Sequence, residues 1–450
     1  MKNTKKLRAA VIILVLLTGL ARAGGKLTLE ESKRLALQNN VRTKNSALES
    51  EAARQAQREA FTRYFPSVSA SGTIFDASRS LLEITTPGGN LPVYNGNPAN
   101  LPTSTQFAYM PSTTMGVLGS LKLGLVSAVQ PVFAGGRIVN GNRLAALSVE
   151  ATDEKARLAR HEVLRITEED YWRVVSLDEK MRTAETYEAL LRRLLEQVEN
   201  AWASGLVMKN DVLKVRLKLS ELLINKSKVE NGRALAAMAL CQYIGIRYDP
   251  SVELSDPLAV DGPPDAYRAD PAEALKTRPE YRLLEDAVRG EELETRMKLG
   301  EYLPQVGIGV AGLYMKMDTA EGRTNGVVFG TLSIPLSGWW GGSYALNAQR
   351  AQEQIARNNL KDNADLLLLQ MERAWQDLTD AYRQVLLSRE SKAQAEENLK
   401  VNRDSYDNGL STISDLLEAQ ALLQQANDQL TEAMAAYRVN LVFYLQITGH

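Results

Sequence analysis

The chain has 450 residues, with 53 Lys and Arg against 54 Asp and Glu and a formal net charge of −1, so no excess of cations marks it as a nucleic-acid binder. Its two histidines, His161 and His450, stand far apart, and its one cysteine, Cys241, is alone. Within one chain that excludes a histidine metal cluster, a histidine-based catalytic triad and a disulfide, and the expectation is a protein that is not an enzyme and carries no metal or cofactor.

Lys2, Lys5, Lys6 and Arg8 precede an apolar run from Ala9 to Leu17, and Ala21-Arg22-Ala23 follows. A basic start, a short apolar stretch and an A-x-A site predict a signal peptide over residues 1–23. The run is shorter than the roughly 18 apolar residues of a spanning helix, and no cysteine follows to carry a lipid anchor. Without its five cations the remaining chain has 48 Lys and Arg against 54 Asp and Glu, a net charge of −6. No later apolar run is long enough to span a membrane as a helix, so any span in the mature chain is predicted to be β.

From residue 24 the chain is a duplication. An offset of 204 pairs Pro335 with Pro131, Trp375 with Tyr171, Gly409-Leu410 with Gly205-Leu206 and Asp415 with Asp211. Upstream the offset is 238, pairing Tyr302-Leu303-Pro304 with Tyr64-Phe65-Pro66, so the first copy carries a 34-residue insertion between Pro66 and Pro131. Two such copies are two supersecondary units that pack on one another. The first repeat is placed at 24–245, a prolyl linker at 246–272 and the second repeat at 273–450.

Each repeat reads helix, strand, strand, very long helix, turn, helix. Ser67, Ser69, Ser71 and Thr73 alternate with Val68, Ala70, Gly72 and Ile74, and Leu121, Leu123, Leu125 and Val129 alternate with Ser120, Lys122, Gly124 and Gln130. In the second repeat Val306, Ile308 and Val310 alternate with Gly307, Gly309 and Ala311, and a return strand is placed at Val327 to Ile334, where alternation is poor. Such lengths suit tilted transmembrane strands. The insertion, about 76–116, is rich in Pro, Gly and Asn and is predicted to be an irregular loop. Tyr64, Phe65, Phe133, Tyr302, Trp339, Trp340 and Tyr344 gather where strands meet helices, as in an aromatic girdle.

No glycine or proline interrupts 142–204 or 343–408, enough for helices of about 90 to 100 Å each. Apolar residues recur along them at spacings of three and four, among them Leu367, Met371, Trp375, Leu378, Tyr382 and Val385, in the manner of a coiled-coil face. Each rod stops at a glycine, Gly205 or Gly409, and a second helix follows, which predicts two antiparallel helical hairpins.

Gly307-Ile308-Gly309-Val310-Ala311-Gly312 has the letters of a dinucleotide fingerprint but lies inside an alternating strand with no helix after it, so that reading is rejected. Asp415 and Glu418, three apart on one helix face past the second tip, are either a ring of charge at a pore or an acidic helix start suited to the dipole.

Four strands cannot close a barrel, and open edges in lipid leave backbone groups unsatisfied, so the chain is expected to assemble. Two copies would give eight strands, too tight for an aqueous path, and three would give twelve. Here the chain resembles the TolC-like outer-membrane efflux proteins, or outer membrane factors. The likeness rests on the duplicated halves, Phe65-Pro66 and Leu303-Pro304 at strand starts, Gln130-Pro131-Val132-Phe133 and Ile334-Pro335-Leu336 at strand ends, and the tips Ser204-Gly205-Leu206 and Asn408-Gly409-Leu410.

The resemblance implies an α+β membrane protein. Its four strands per chain would complete a 12-stranded trimeric β-barrel in the outer membrane, continued by a long periplasmic α-helical barrel. It implies a passive exit duct for tripartite efflux or type I secretion, with a periplasmic adaptor (membrane fusion) protein and an inner-membrane RND or ABC transporter as partners. The adaptor would dock at the tips, Gly205, Leu206, Gly409 and Leu410. Asp415 and Glu418 map onto the family's aperture acids, and Tyr406 with Asp211 onto a lock between neighbouring hairpins. Ser411 stands where the best-known members carry a basic residue, so a looser resting aperture is expected. The competing expectation is a periplasmic coiled-coil scaffold or adaptor without a barrel.

Overall fold

The computed structural model describes residues 26–260, 262–318 and 320–449, and the predicted signal peptide lies outside them. In chain order come α1 (Leu29–Asn39), α2 (Val41–Thr62), β1 (Ser67–Asp76), β2 (Leu82–Thr86), β3 (Gly89–Pro92), β4 (Phe107–Met110), β5 (Thr113–Val117) and β6 (Ser120–Ala134). The long helix α3 (Arg137–Ala203) and its return α4 (Lys209–Tyr243) follow. The second repeat supplies α5 (Pro271–Thr277), α6 (Pro279–Gly300), β7 (Gln305–Met317), β8 (Arg323–Ser333), α7 (Gly338–Asp407) and α8 (Ile413–Thr448). Contacts divide the chain into two units. Among the described residues no helix is long and apolar enough to cross a membrane.

One unit, Arg54–Leu147 with Arg289–Ile355, holds an antiparallel sheet in the order β1-β6-β7-β8. Directly paired residues share a face, so the register aligns Val68, Ala128, Val310 and Val328 in one apolar row across all four strands. Three of these are bare in the single chain: Val68 is 70% exposed, Val310 53% and Val328 83%. The opposite face carries Ser67, Ser69, Ser71 and Thr73, with the Ser69 and Ser127 hydroxyls 3.0 Å apart. Leu121, Leu123 and Leu125 pair with Phe75, Thr73 and Ser71, which puts these leucines on the serine face. The register slips between Pro131 and Phe133, where proline has no N–H for the ladder.

The insertion is not the irregular loop its composition predicts. β2 pairs with β5, and β3 with β4, as two short antiparallel ladders stacked along one hairpin. Thr and aromatic residues in its arms favour extended backbone, and Pro and Gly fall at the joint between the ladders (Pro87, Gly88 and Pro111), near strand ends (Gly89, Pro92 and Gly116) and at the tip. The rods also begin earlier than their glycines suggest, at Arg137 and Gly338. Gly342 sits inside α7 because a Cβ there would stand 3.1 Å from the Tyr302 ring, which occupies that space.

The other unit is helical. Both repeats open with a helix pair broken at one equivalent residue, Asn40 or Arg278, each with extended backbone. Pro279 disfavours a helical Arg278. In the first copy Asn40 does the work by hydrogen bonds, accepting from Arg42 N–H at 2.8 Å and donating to the Tyr243 carbonyl at 2.9 Å. One core gathers Tyr171, Val174, Leu240 and Ile244, and a second gathers Trp375, Leu378, Tyr437 and Tyr444. Tyr171 and Trp375, matched by the duplication, thus fill matching places.

The prolyl linker is held by phenols. The Tyr171 hydroxyl lies 2.5 Å from Asp256 Oδ2 and 3.0 Å from the Leu27 carbonyl, and Leu27 bridges in parallel to Leu254. Tyr437 donates to the Gly262 carbonyl and Tyr444 accepts from Ala269 N–H, both at 3.0 Å. Burial and the Asp256 carboxylate raise the Tyr171 pKa far above the phenol range, so it stays a donor. Tyr171→Phe leaves Asp256 and Leu27 short of this donor and is expected to cost about 1 to 3 kcal/mol. Thermal unfolding in detergent checks this: the midpoint should fall by several degrees, and an unchanged midpoint would mean that packing alone holds the linker.

Candidate functional site

The features singled out in the sequence converge on the two hairpin tips, where α3 turns into α4 and α7 into α8. Each turn follows one scheme. Gly205, at φ 72°, donates to the Trp202 carbonyl and Leu206 to that of Ala201, both at 2.9 Å. Gly409, at φ 73°, donates to Tyr406 at 2.9 Å and Leu410 to Ser405 at 2.8 Å. These are Schellman pairs, which use up the last orphan carbonyls of a helix. A Cβ at either glycine would meet nothing, so glycine is required for its backbone angle and not for space. The residue after such a glycine often packs back on its own helix, yet Leu206 is 79% and Leu410 82% exposed. Met208 beside them is 76% exposed.

The tips of the two hairpins share one core. Leu191, Leu194, Val198, Val212 and Val215 of the first pack with Ile413, Leu416 and Leu417 of the second. Tyr406 leans against this core; burial raises its phenol pKa, and the charges of Asp211 and Asp407 add to the effect. Among the described residues the Tyr406 hydroxyl makes no hydrogen bond to Asp211 within the chain. The Asp211 carboxylate faces Lys214 Nζ at 3.4 Å instead.

Asp415 has a local task. Thr412 is the N-cap of α8, and Asp415 accepts from its N–H at 2.8 Å and its hydroxyl at 2.7 Å while donating its own N–H to Thr412 Oγ1. The capping box thus occupies Asp415 Oδ2. These bonds to Thr412 hold the Asp415 carboxyl below its ordinary 3.8, and the charge of Lys214 adds to the effect. Glu418, one turn on, is exposed, and among the described residues it has no ion-pair partner.

Sequence reasoning missed Lys214. Its ammonium reaches across to the second hairpin and donates to Ser414 Oγ at 2.9 Å while facing Asp211. The duplication holds the signal that finds it, since the offset of 204 that pairs Asp211 with Asp415 pairs Lys214 with Glu418. The first copy therefore carries an acid and a cation that neutralise each other, and the second carries two acids. Among the described residues no group of His, Cys, Asp and Glu could hold a metal ion.

The sequence profile described as outer membrane efflux protein matches residues 34–246 and 274–450, most of both repeats. The chain belongs to the outer membrane efflux protein family. Its place is therefore the outer membrane, and its role is that of an efflux channel, not an enzyme. A periplasmic scaffold without a barrel is set aside on this ground. No curated protein sequence matches the chain.

Solved structures give the same fold. The outer-membrane channel OprN is 14% identical with a TM-score of 0.75, over 94% of this chain and 89% of that one. VceC from Vibrio cholerae is 14% identical at 0.73, over 94% and 96%, and CusC is 16% identical at 0.74, over 95% of both. The efflux protein thus has the fold of outer-membrane channels with almost no sequence in common.

The Asp415 cap has a pH dependence of known sign. A carboxylate with a lowered folded value stabilises fully above its ordinary 3.8 and loses that effect as the pH falls through the lowered value. Amide exchange at 412–416 should therefore be slow at neutral pH and quicken, relative to the intrinsic rate, only in strong acid. Asp415→Ala should show the quickened exchange at every pH.

Proposed function

We propose that three copies of this efflux protein form a passive exit duct, with a 12-stranded β-barrel in the outer membrane and a helical barrel in the periplasm. The observation that carries this reading is the pair of open sheet edges, β1 and β8, at the two ends of an exposed apolar row. In lipid those edges require partners, and three four-stranded sheets joined edge to edge supply them. The aromatic side chains near the strand ends, with Trp340 84% and Tyr344 77% exposed, suit a membrane interface.

In the helical barrel the second hairpins bring Asp415 and Glu418 of each chain toward the axis. Unlike the Asp211 and Lys214 pair, they have no opposite charge of their own repeat, so their repulsion and their taste for cations add. Tyr406 and Asp211 form a lock between the neighbouring hairpins. Lys214 supplies the basic tie that Ser411 does not, linking the two hairpins of one chain. The bare leucines at the tips, Leu206 and Leu410, are where a periplasmic adaptor docks, and an inner-membrane RND or ABC transporter provides the energy. The partners serve efflux or type I secretion.

Planar-bilayer conductance of the purified protein tests the duct. Small, uniform, cation-preferring steps are expected, and Asp415→Asn with Glu418→Gln should enlarge them and weaken the preference. An unchanged step in the double variant would remove the acids from the gate. Leu206→Asp with Leu410→Asp should leave the steps intact and abolish efflux in cells at normal protein level; full efflux would place the adaptor elsewhere.

A further inference from the structure

The insertion in the first repeat is the feature that the duct does not use. From Ser80 to Gly119 the chain has a single charged residue, Glu83, although charged residues are 24% of the whole. Its lower ladder has two unlike faces. Leu82 pairs with Val117 and Ile84 with Met115 on one, and Leu82, Ile84 and Met115 are each more than half exposed. Glu83 opposes Gly116 on the other, and the Thr85 and Thr114 hydroxyls lie 3.0 Å apart beside it. The upper ladder is apolar on both faces, with Phe107 57% and Tyr109 73% exposed on one side and Leu91 51% exposed on the other. A two-stranded ribbon of this kind is marginal in water, and an apolar face in this position needs cover.

The root of the ribbon is fixed. Leu118 and Asp318 are the two non-glycine residues with positive φ among those described, at 68° and 48°. The Asp318 carboxylate accepts from Leu118 N–H at 2.8 Å and from Ser120 N–H at 2.6 Å, and its own N–H donates to the Ser120 carbonyl at 2.9 Å. A leucine kept in the left-handed region is strained and persists only where its surroundings hold it. The ribbon is aimed from the end of β7.

We propose that the ribbon's apolar face packs against the same ribbon of neighbouring copies, and that the joined ribbons form a cap over the outer mouth of the duct. This rests on the trimer proposed above. The ribbon grows from β1, the open edge, so each copy stands at a seam between chains. Side chains that point at a three-fold axis meet their own copies there, so any charge among them would repel. A face free of charge, with its one carboxylate turned away, is suited to such a contact. The β7–β8 turn, with Asp318, Glu321 and Arg323, is not. An anionic headgroup would call for cations, and the forty residues hold none.

Single cysteines in the intact protein test this, because native Cys241 is buried. Ile84→Cys and Met115→Cys are expected to be joined to a neighbouring copy by a short bis-maleimide, with loss of the monomer band on a denaturing gel, and to label slowly with a bulky maleimide. Thr114→Cys, on the polar face, should label several-fold faster and stay monomeric on the gel. Native mass of the same preparations gives the oligomer. A trimer in which Met115→Cys is not joined overturns the cap alone, whether it labels as fast as Thr114→Cys or is shielded by lipid or a foreign protein. A monomer overturns the cap together with the trimer.

Discussion

Every backbone N–H and C=O in a sheet needs a partner, and this sheet leaves two strands without one. β1 and β8 end a ladder whose inner strands are fully paired. In water the edges would be solvated at little cost, and polar or charged residues would blunt them. Here Val68 and Val328, on those edges, lie in an apolar row that lipid would cover, and lipid offers no hydrogen bonds. The two facts together cannot be met by one chain. The proposed assembly thus rests on the backbone, with side chains deciding only which edge meets which.

Much of this was legible in the sequence, and the physical reasons separate what was from what was not. Gly205 and Gly409 announced the tips because a left-handed residue at a helix end has few substitutes. Tyr171 and Trp375 marked the cores because aromatic residues at helical spacing have nowhere else to go. The insertion was misread because Pro, Gly and Asn report turns, and turns at its ends and tip say nothing about the pairing between them. The alternation of Leu121, Leu123 and Leu125 was legible, while the face they occupy is set by the partner strand. Lys214 was missed because a cation near an acid three residues away reads as a local pair, and its reach to Ser414 is a tertiary fact.

Duplication makes two equal copies, and the differences that followed show how the copies came to carry different work. The helix breaks at Asn40 and Arg278 coincide, yet one is enforced by an amide side chain and the other by Pro279, so the bend was kept while its cause changed. At the tips the reverse holds: the Schellman turns are the same, and the charge beyond them is not. Lys214 neutralises the first copy, and Glu418 doubles the charge of the second. A repeat that has kept its backbone and altered its charge has been shaped at that point by something other than folding.

The same reasoning bears on Asp415, which serves both as cap and as candidate gate. The cap takes one oxygen, Oδ2, and lowers the pKa, so it keeps the carboxylate charged where a cluster of acids would drive it toward protonation. Glu418, one turn on, makes no such bond among the described residues. Asp415, tied into the helix start, is then held in its charged form. In the proposed gate the two acids stand on a single helix turn, and the capping box, a device of local folding, is what makes them different.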